Sequence, residues 1–292
     1  MINKLLCLII GIILGLVAIP EKSSAQVKWK RSEPTIELKQ RIFHSTTVIG
    51  LPTAETLKKG DFEFEISHRF QPPVSDGYEV LYGFDGPVKM RLAVGYAVFN
   101  DWMVTLGRSN LDDNTDLQIK YRLFHPRKSQ VPVISAIQIG AAWNIVETFR
   151  LNQNGDMVVR RKGHKRHFQY FGRLIIDYMP LSKIAFGLIP SYLYNSDISA
   201  EDIDNIFMLG THYQIFLYKR WSLIAGWSPI LSNKSNRHNP VGIGAELETG
   251  AHIFELFVTN QVRVNSTQFI SGANYPFDGD NLRIGFYINR IL

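Results

Sequence analysis

From Asp61 to the C-terminus, apolar and polar residues alternate in runs separated by turn-forming residues. A period of two marks a β-strand with two unlike faces. The clearest case spans Asn239 to Asn260. Val241, Ile243, Ala245 and Leu247 alternate with Gly242, Gly244, Glu246 and Glu248, and Thr249-Gly250 supplies a tight turn. A two-residue turn there predicts that Leu247 pairs with His252, Ala245 with Phe254, Ile243 with Leu256 and Val241 with Val258. That face is apolar. The other face pairs Glu246 with Ile253, Gly244 with Glu255 and Gly242 with Phe257.

The same alternation recurs from Phe62-Glu63-Phe64-Glu65-Ile66 and Val88-Lys89-Met90-Arg91 through Leu117-Gln118-Ile119-Lys120-Tyr121-Arg122 to Leu282-Arg283-Ile284. The runs predict about twelve strands, many of 9 to 13 residues. Strands in globular sandwiches average about 5–6 residues, whereas a strand tilted across a bilayer needs about 9–11. The connectors alternate between long and short. Gln71–Pro87, Asn110–Asn114, Asn144–Arg166, Asn195–Asp204, Leu231–His238 and Gln261–Asn281 are the longer ones. Asn100-Asp101, the link around His125-Pro126, Met179-Pro180-Leu181, Tyr218-Lys219-Arg220 and Thr249-Gly250 are the shorter ones. Long outer loops and short periplasmic turns belong to outer-membrane barrels. The expected fold is therefore all-β: an up-and-down antiparallel transmembrane β-barrel of about 12 strands, with a short N-terminal segment or plug. A secreted β-sandwich is the alternative, and it has no reason to keep the alternation of connectors.

The N-terminus bears on location. Met1–Lys4 is a short basic start, Leu5–Ile19 an uncharged apolar run, and Ser23-Ser24-Ala25 a small-residue site. This predicts a secretory signal peptide over residues 1–25, too short in its apolar part for a spanning helix of about 20 residues. The one cysteine, Cys7, lies inside it, so the mature chain offers no disulfide and no thiolate. The mature chain would carry 30 basic and 25 acidic residues, a net charge of +5. That balance is mild and spread out, and with no nucleic-acid motif it gives no reason to expect nucleic acid as a partner.

Residues 26–60 differ from the rest: polar, charged and broken by Pro34 and Pro52. They are expected to form an N-terminal periplasmic or plug segment ahead of a barrel over 61–292. Within it, Thr53–Lys59 can make one or two helical turns, with Thr53 as N-cap and Gly60 as stop. Trp102, Tyr121, Trp143, Tyr178, Tyr192, Tyr194, Trp221 and Trp227 fall near strand ends, where interfacial girdles sit.

Several stretches resemble a family of membrane-bound β-barrel domains from Gram-negative envelopes, a domain of unknown function. They are Glu55–Phe64 with Ser67-His68-Arg69-Phe70, Leu106-Gly107-Arg108-Ser109, Glu248-Thr249-Gly250 with Phe257-Val258-Thr259-Asn260, and Ile284-Gly285-Phe286 with Asn289-Arg290. The resemblance runs from about Arg41 to Leu292. It implies the barrel and an outer-membrane location, and it supplies no catalytic or ligand residues.

With the apolar faces in lipid, the other faces line a lumen. Candidates for that lining are Glu63, Glu65, Lys89, Arg91, Gln118, Lys120, Arg122, Arg173, Asp177, His212, Glu246, Glu255 and Arg283. A Lys or Arg at mid-bilayer on the lipid side costs about 2–4 kcal/mol, which orients these faces inward. Two outcomes are open: a polar conduit whose charges select solutes, or ion pairs that fill a closed barrel. Glu246 and Glu255 are expected either to pair with Lys or Arg across the lumen, for example Arg283 or Arg91, or to meet a solute. The basic run Arg160–His167 is expected to be solvated loop charge, with lipid phosphates or the acidic loop Asp197, Glu201, Asp202 and Asp204 as its alternative partners. His164 with His167, and Asp112, Asp113 and Asp116, lack the surroundings or spacing of a metal site. Ser67-His68 and Ser109 carry no nucleophile motif, so a lipid or ester hydrolase is the weakest reading. No cofactor is expected. The expected partners are outer-membrane lipid, the barrel-assembly machinery during insertion, and a small solute. The expected function is a non-enzymatic barrel: a narrow channel or transporter, or a closed structural or surface-interaction barrel.

Overall fold

A computed structural model describes residues 41–125, 132–151, 155–218, 220–232 and 237–292. The expected signal peptide, and residues 26–40 of the N-terminal segment, lie outside the described residues.

The described chain opens with a miniature hairpin, β1 (Thr47–Val48) and β2 (Leu51–Pro52). Twelve strands then close one antiparallel barrel. They are β3 (Phe62–Phe70), β4 (Val88–Phe99), β5 (Trp102–Ser109), β6 (Thr115–Phe124), β7 (Val133–Trp143), β10 (Phe168–Leu181), β11 (Ile184–Tyr194), β12 (Asn205–Phe216), β13 (Trp221–Trp227), β14 (Val241–Glu248), β15 (His252–Thr259) and β16 (Arg283–Ile291). A separate hairpin of β8 (Thr148–Leu151) and β9 (Met157–Arg160) rises from the loop between β7 and β10. Each barrel strand pairs with its neighbours in sequence, and β16 closes on β3 through pairs such as Ile288 with Ile66. Closure removes every free strand edge, and no unpaired ladder is left to face hydrocarbon. Among the described residues, no helix is long and apolar enough to cross a membrane.

The alternation seen in the chain becomes an inside and an outside. Leu106, Ile139, Ile243 and Leu256 are exposed on the outer surface, each more than half accessible. Beside them in the chain, Gly107, Gln138, Gly242, Glu255 and Phe257 are buried in the interior. Aromatic rings gather at both ends of the wall. At the short-turn end Trp102 packs on Tyr121 with centroids 4.5 Å apart, and Tyr178 meets Phe186 edge-on at 5.5 Å. At the long-loop end Trp143 stacks on Phe168 at 5.8 Å and Tyr192 packs on Phe207 at 4.9 Å.

Three local expectations are corrected. The β14–β15 hairpin is shifted by two residues: Leu247 faces Phe254, Ala245 faces Leu256, and Ile243 faces Val258. The link is the three residues 249–251, closed by the Thr249 N–H donating to His252 O at 2.9 Å. A shift of two keeps every side chain on its face. It sets Gly244 opposite Phe257, where any Cβ on residue 244 would lie 2.4 Å from Phe257 Cβ. It also sets Glu246 directly opposite Glu255. Second, Met179-Pro180-Leu181 is strand rather than turn. Pro180 has no N–H to donate, and a register irregularity between Tyr178 and Leu181 absorbs it. Third, Thr53–Lys59 forms no helix. Its backbone groups bond to the barrel wall instead, and seven residues of helix propensity cannot compete with that.

Candidate functional site

Residues 42–57 of the N-terminal segment lie inside the barrel. Between β1 and β2, Ile49 and Gly50 both take positive φ, 48° and 82°. A two-residue hairpin loop of that kind is a type I′ turn, normally built from Asn and Gly. A β-branched residue there is strained and persists only when its surroundings hold it. They do so here in two ways. The Ile49 N–H donates to Glu255 Oε2 at 2.9 Å. The side chain fills space left by glycines: a Cβ at position 242 would come within 2.6 Å of Ile49 Cγ2, and one at position 210 within 2.9 Å of Leu51 Cδ2. Gly210, Gly226 and Gly242, on three successive strands, form the groove in which Ile49 and Leu51 sit.

The apolar side of the segment packs on one half of the wall. Ile42, Phe43, Val48, Ile49 and Leu51 share a core with Ile175 of β10, Ile189 and Leu193 of β11, Ile206 and Met208 of β12, and Ile224 of β13. These wall residues point inward and are nearly inaccessible.

Polar side chains of the wall hold the segment's backbone. Asp177 Oδ2 accepts the Ala54 N–H at 2.7 Å. Lys120 Nζ donates to Thr46 O (3.3 Å) and Thr53 O (3.0 Å). Arg122 donates to Ala54 O and Thr56 O and pairs with Glu55 at 3.6 Å. Glu63 accepts from Thr46 Oγ1 at 2.7 Å, and Glu246 lies 2.8 Å from His44 Nδ1. His212 pairs with Asp177 at 3.2 Å and meets the Phe43 ring edge-on, 4.5 Å between centroids. Of the lining candidates, Glu63, Lys120, Arg122, Asp177, His212, Glu246 and Glu255 thus converge on the N-terminal segment.

The other candidates do not. Arg91 lies between Glu65 (2.7 Å) and Asp116 (2.9 Å), crossing over Gly107, where a Cβ would strike its guanidinium. Arg173 donates to Ser266 O at 3.1 Å. Arg283 donates to Gln71 O and Asn281 O and covers the Tyr275 ring at 3.7 Å. Lys89 is half-buried near the long-loop end of β4, and Gln118 donates to Asp116. The expected pairing of Glu246 and Glu255 with Arg91 or Arg283 is corrected: both acids bind the N-terminal segment, and both arginines find partners on their own side.

A second insert enters from the long-loop end. Residues 260–273 fold inward around the helix Ser266–Ile270, whose Asn265 caps it by accepting the Gln268 N–H at 3.1 Å. Val262, Val264, Phe269 and Ile270 are buried. The two inserts meet at Gly50, where a Cβ would stand 3.3 Å from the Phe269 ring. Between them and the β3–β7 wall remains a cavity of about 40 Å³ lined by Glu63, Glu65, Arg91, Lys120 and Arg173. At the long-loop end a larger cavity of about 370 Å³ includes Asp112, Glu147, Asp197, Arg237 and Arg263. Burial, and then the neighbouring Arg237, bring the Arg263 guanidinium down to about 10. Burial lowers Arg237 as well.

The basic run meets the acidic loop, one of its expected partners, but at the backbone. Arg160 donates to Ile198 O (2.7 Å) and Ala200 O (2.8 Å), and Arg166 also donates to Ala200 O. The basic run therefore grips the acidic loop through its carbonyls, not its carboxylates. His167 is buried beside Thr148, and burial, followed by His164 and Arg160, lowers its pKa. Asp113 pairs with Arg108 at 3.0 Å on the surface while Asp116 is inside, so the three aspartates are dispersed.

Some interior groups escaped the sequence reading. Asp116 is in phase with Gln118, Lys120 and Arg122, and Arg69 with Glu63, Glu65 and Ser67, so strand parity alone would have found them. Arg69 lies over the rings of Phe257 (4.4 Å) and Tyr287 (4.9 Å). The inward apolar stripe had no such signal, because its residues interrupt the alternation.

Residues 43–292 match the family model of a membrane bound beta barrel domain (DUF5777). No curated protein matches the chain. Similar solved structures include a NanC porin, at 9% identity over 79% of this chain and 98% of that one, with a TM-score of 0.46. A KdgM porin (8%, 79% and 98%, TM-score 0.44) is another. Omp33, an outer membrane protein of Acinetobacter baumannii, is a third (12%, 80% and 99%, TM-score 0.40). At these identities and scores, the likenesses carry no functional argument.

Proposed function

This chain belongs to that family of membrane-bound β-barrel domains, and on that premise we propose that it works as a narrow, plugged channel for small polar solutes in the outer membrane. The reading makes residues 1–25 the export signal and 26–60 the segment that reaches into the barrel. It involves no covalent chemistry.

The observation that carries it is the asymmetry of the lumen. The N-terminal segment packs its apolar side on β10–β13, and the cavity of about 40 Å³ runs along the opposite, charged wall. That volume holds about three waters, taking 10–15 Å³ for each. Charges of both signs along a confined path favour polar solutes over apolar ones. Moving the N-terminal segment would open the path along this wall.

A second reading, a permanently closed barrel with a structural or surface role, draws on the segment's own attachments. Glu255 and Asp177 each bind one of its amides, and its apolar residues are sealed in a core.

Conductance in planar bilayers separates the two. The wild-type barrel should pass little current. Deleting 41–59, alone or with a shortened 262–272 loop, should raise the current while heat-modifiable migration still reports a folded barrel. Folded variants that stay silent, in liposome solute uptake as well, leave the closed barrel as the answer.

A further inference from the structure

The long-loop cavity of about 370 Å³ is within the size range of small-molecule sites, about 300–1,000 Å³. Two of its lining residues are arginines from different loops, Arg237 and Arg263. Both converge on one residue. Arg237 Nη1 donates to Ser271 O at 2.6 Å, and Arg263 Nη1 donates to the Ser271 hydroxyl. A guanidinium has five N–H donors, so most of their donor capacity remains unused by these bonds.

Carboxylates act on the two guanidiniums only at longer range: Asp197 on both, Asp204 on Arg237 and Asp112 on Arg263. Among the described residues, no carboxylate lies within ion-pair distance of either. Two acids of the same cavity are engaged locally: Asp112 accepts from Gln268 Nε2 at 3.3 Å, and Asp197 accepts the Ser199 N–H at 2.8 Å. Two half-buried cations held side by side repel each other, and Arg263 loses proton affinity first through burial and then through Arg237, with Asp112 and Asp197 offsetting part of the loss. A bound anion would relieve the repulsion and accept from the N–H groups these bonds leave free, and the planar fork of arginine suits carboxylate and phosphate oxygens.

We propose that Arg237 and Arg263 form an anion site in the long-loop cavity, taking a small solute with a carboxylate or phosphate group. In the remaining lining, Glu147 suits a hydroxyl or ammonium donor elsewhere on the same solute. The site needs only an accessible cavity. It therefore stands whether the solute passes through the barrel or is merely held, and loss of conduction would not remove it.

The test uses full-length protein in nanodiscs, titrated calorimetrically with inorganic phosphate and, separately, with acetate, each up to tens of millimolar. Saturable binding of at least one is expected, and the pair of titrations tells phosphate from carboxylate recognition. Arg237→Gln and Arg263→Gln should each weaken it about tenfold or more, as expected for loss of a charge-assisted hydrogen bond. Asp197→Asn, which removes a nearby negative charge, should tighten it and does not depend on the arginine variants folding. Absence of saturable binding for both anions, or affinity unchanged by all three substitutions, overturns the site.

Discussion

Glu255 and Ile49, 206 residues apart in the chain, are joined by a 2.9 Å hydrogen bond from the Ile49 amide to the Glu255 carboxylate. The bond ties the most strained turn of the N-terminal segment to the barrel wall. It also explains why an acid points inward on β15: its partner is a backbone amide, not an arginine. Glu255→Ala should leave that amide buried and unpaired, at a cost of about 1–3 kcal/mol. Glu255→Gln keeps an acceptor and removes the acidic group facing Glu246. Limited proteolysis in liposomes should therefore cut within 41–59 in the alanine variant and spare the glutamine variant. Equal cleavage of the two would show that this bond is not the anchor.

The glycine groove makes a steric prediction. Gly242→Val should drive Ile49 out of its seat and cost about 1–3 kcal/mol, the usual range for overpacking. Gly172→Ala is the control, since nothing lies within 4 Å of a Cβ there, and it should stay within about 0.5 kcal/mol of wild type. Urea unfolding midpoints report both. If the segment is the closing element, the valine variant should also show more frequent current steps.

His167 anchors the base of the loop between β7 and β10. Its carbonyl accepts both the Asn144 N–H (3.1 Å) and Asn144 Nδ2 (3.0 Å). Its folded pKa is lowered, chiefly by burial, from an ordinary value of 6.5. The unfolded loop therefore takes up a proton at a pH where the folded one does not. Its stability should be fully present above about pH 6.5 and decline as pH falls toward the folded value. Amide exchange in the β8–β9 hairpin should speed up over that acidic range. In His167→Gln the rate should follow only the intrinsic pH dependence of exchange.

The lipid-facing wall makes a depth-dependent prediction. Leu106, in the middle of β5, is 57% accessible, and Leu123, near the short-turn end of β6, is 51% accessible. Leu106→Arg should cost about 2–4 kcal/mol and Leu123→Arg about 0–1 kcal/mol. Reversible unfolding from phospholipid vesicles measures the difference. Similar costs at the two sites would argue against Leu106 lying near the bilayer centre.

The chain by itself determined the strands, the long and short connectors and the lipid-facing side, because a period of two is a local property. It also exposed the charged faces of β3, β4 and β6, since Glu63, Glu65, Arg91, Lys120 and Arg122 keep the phase of their strands. A slip of two residues in the β14–β15 hairpin was invisible in that pattern, because it leaves both faces unchanged. Only the tertiary structure decided who meets whom across the interior. The inward apolar stripe on β10–β13 breaks the alternation and has meaning only once Phe43, Ile49 and Leu51 are laid against it. Gly210, Gly226 and Gly242 look like ordinary strand glycines until three neighbouring strands align them into one groove. Thr53–Lys59 has helix-forming residues, yet Asp177, Lys120 and Arg122 take its amides and carbonyls and hold it extended. These contacts join residues tens to hundreds of positions apart, and barrel closure is what brings them within bonding distance.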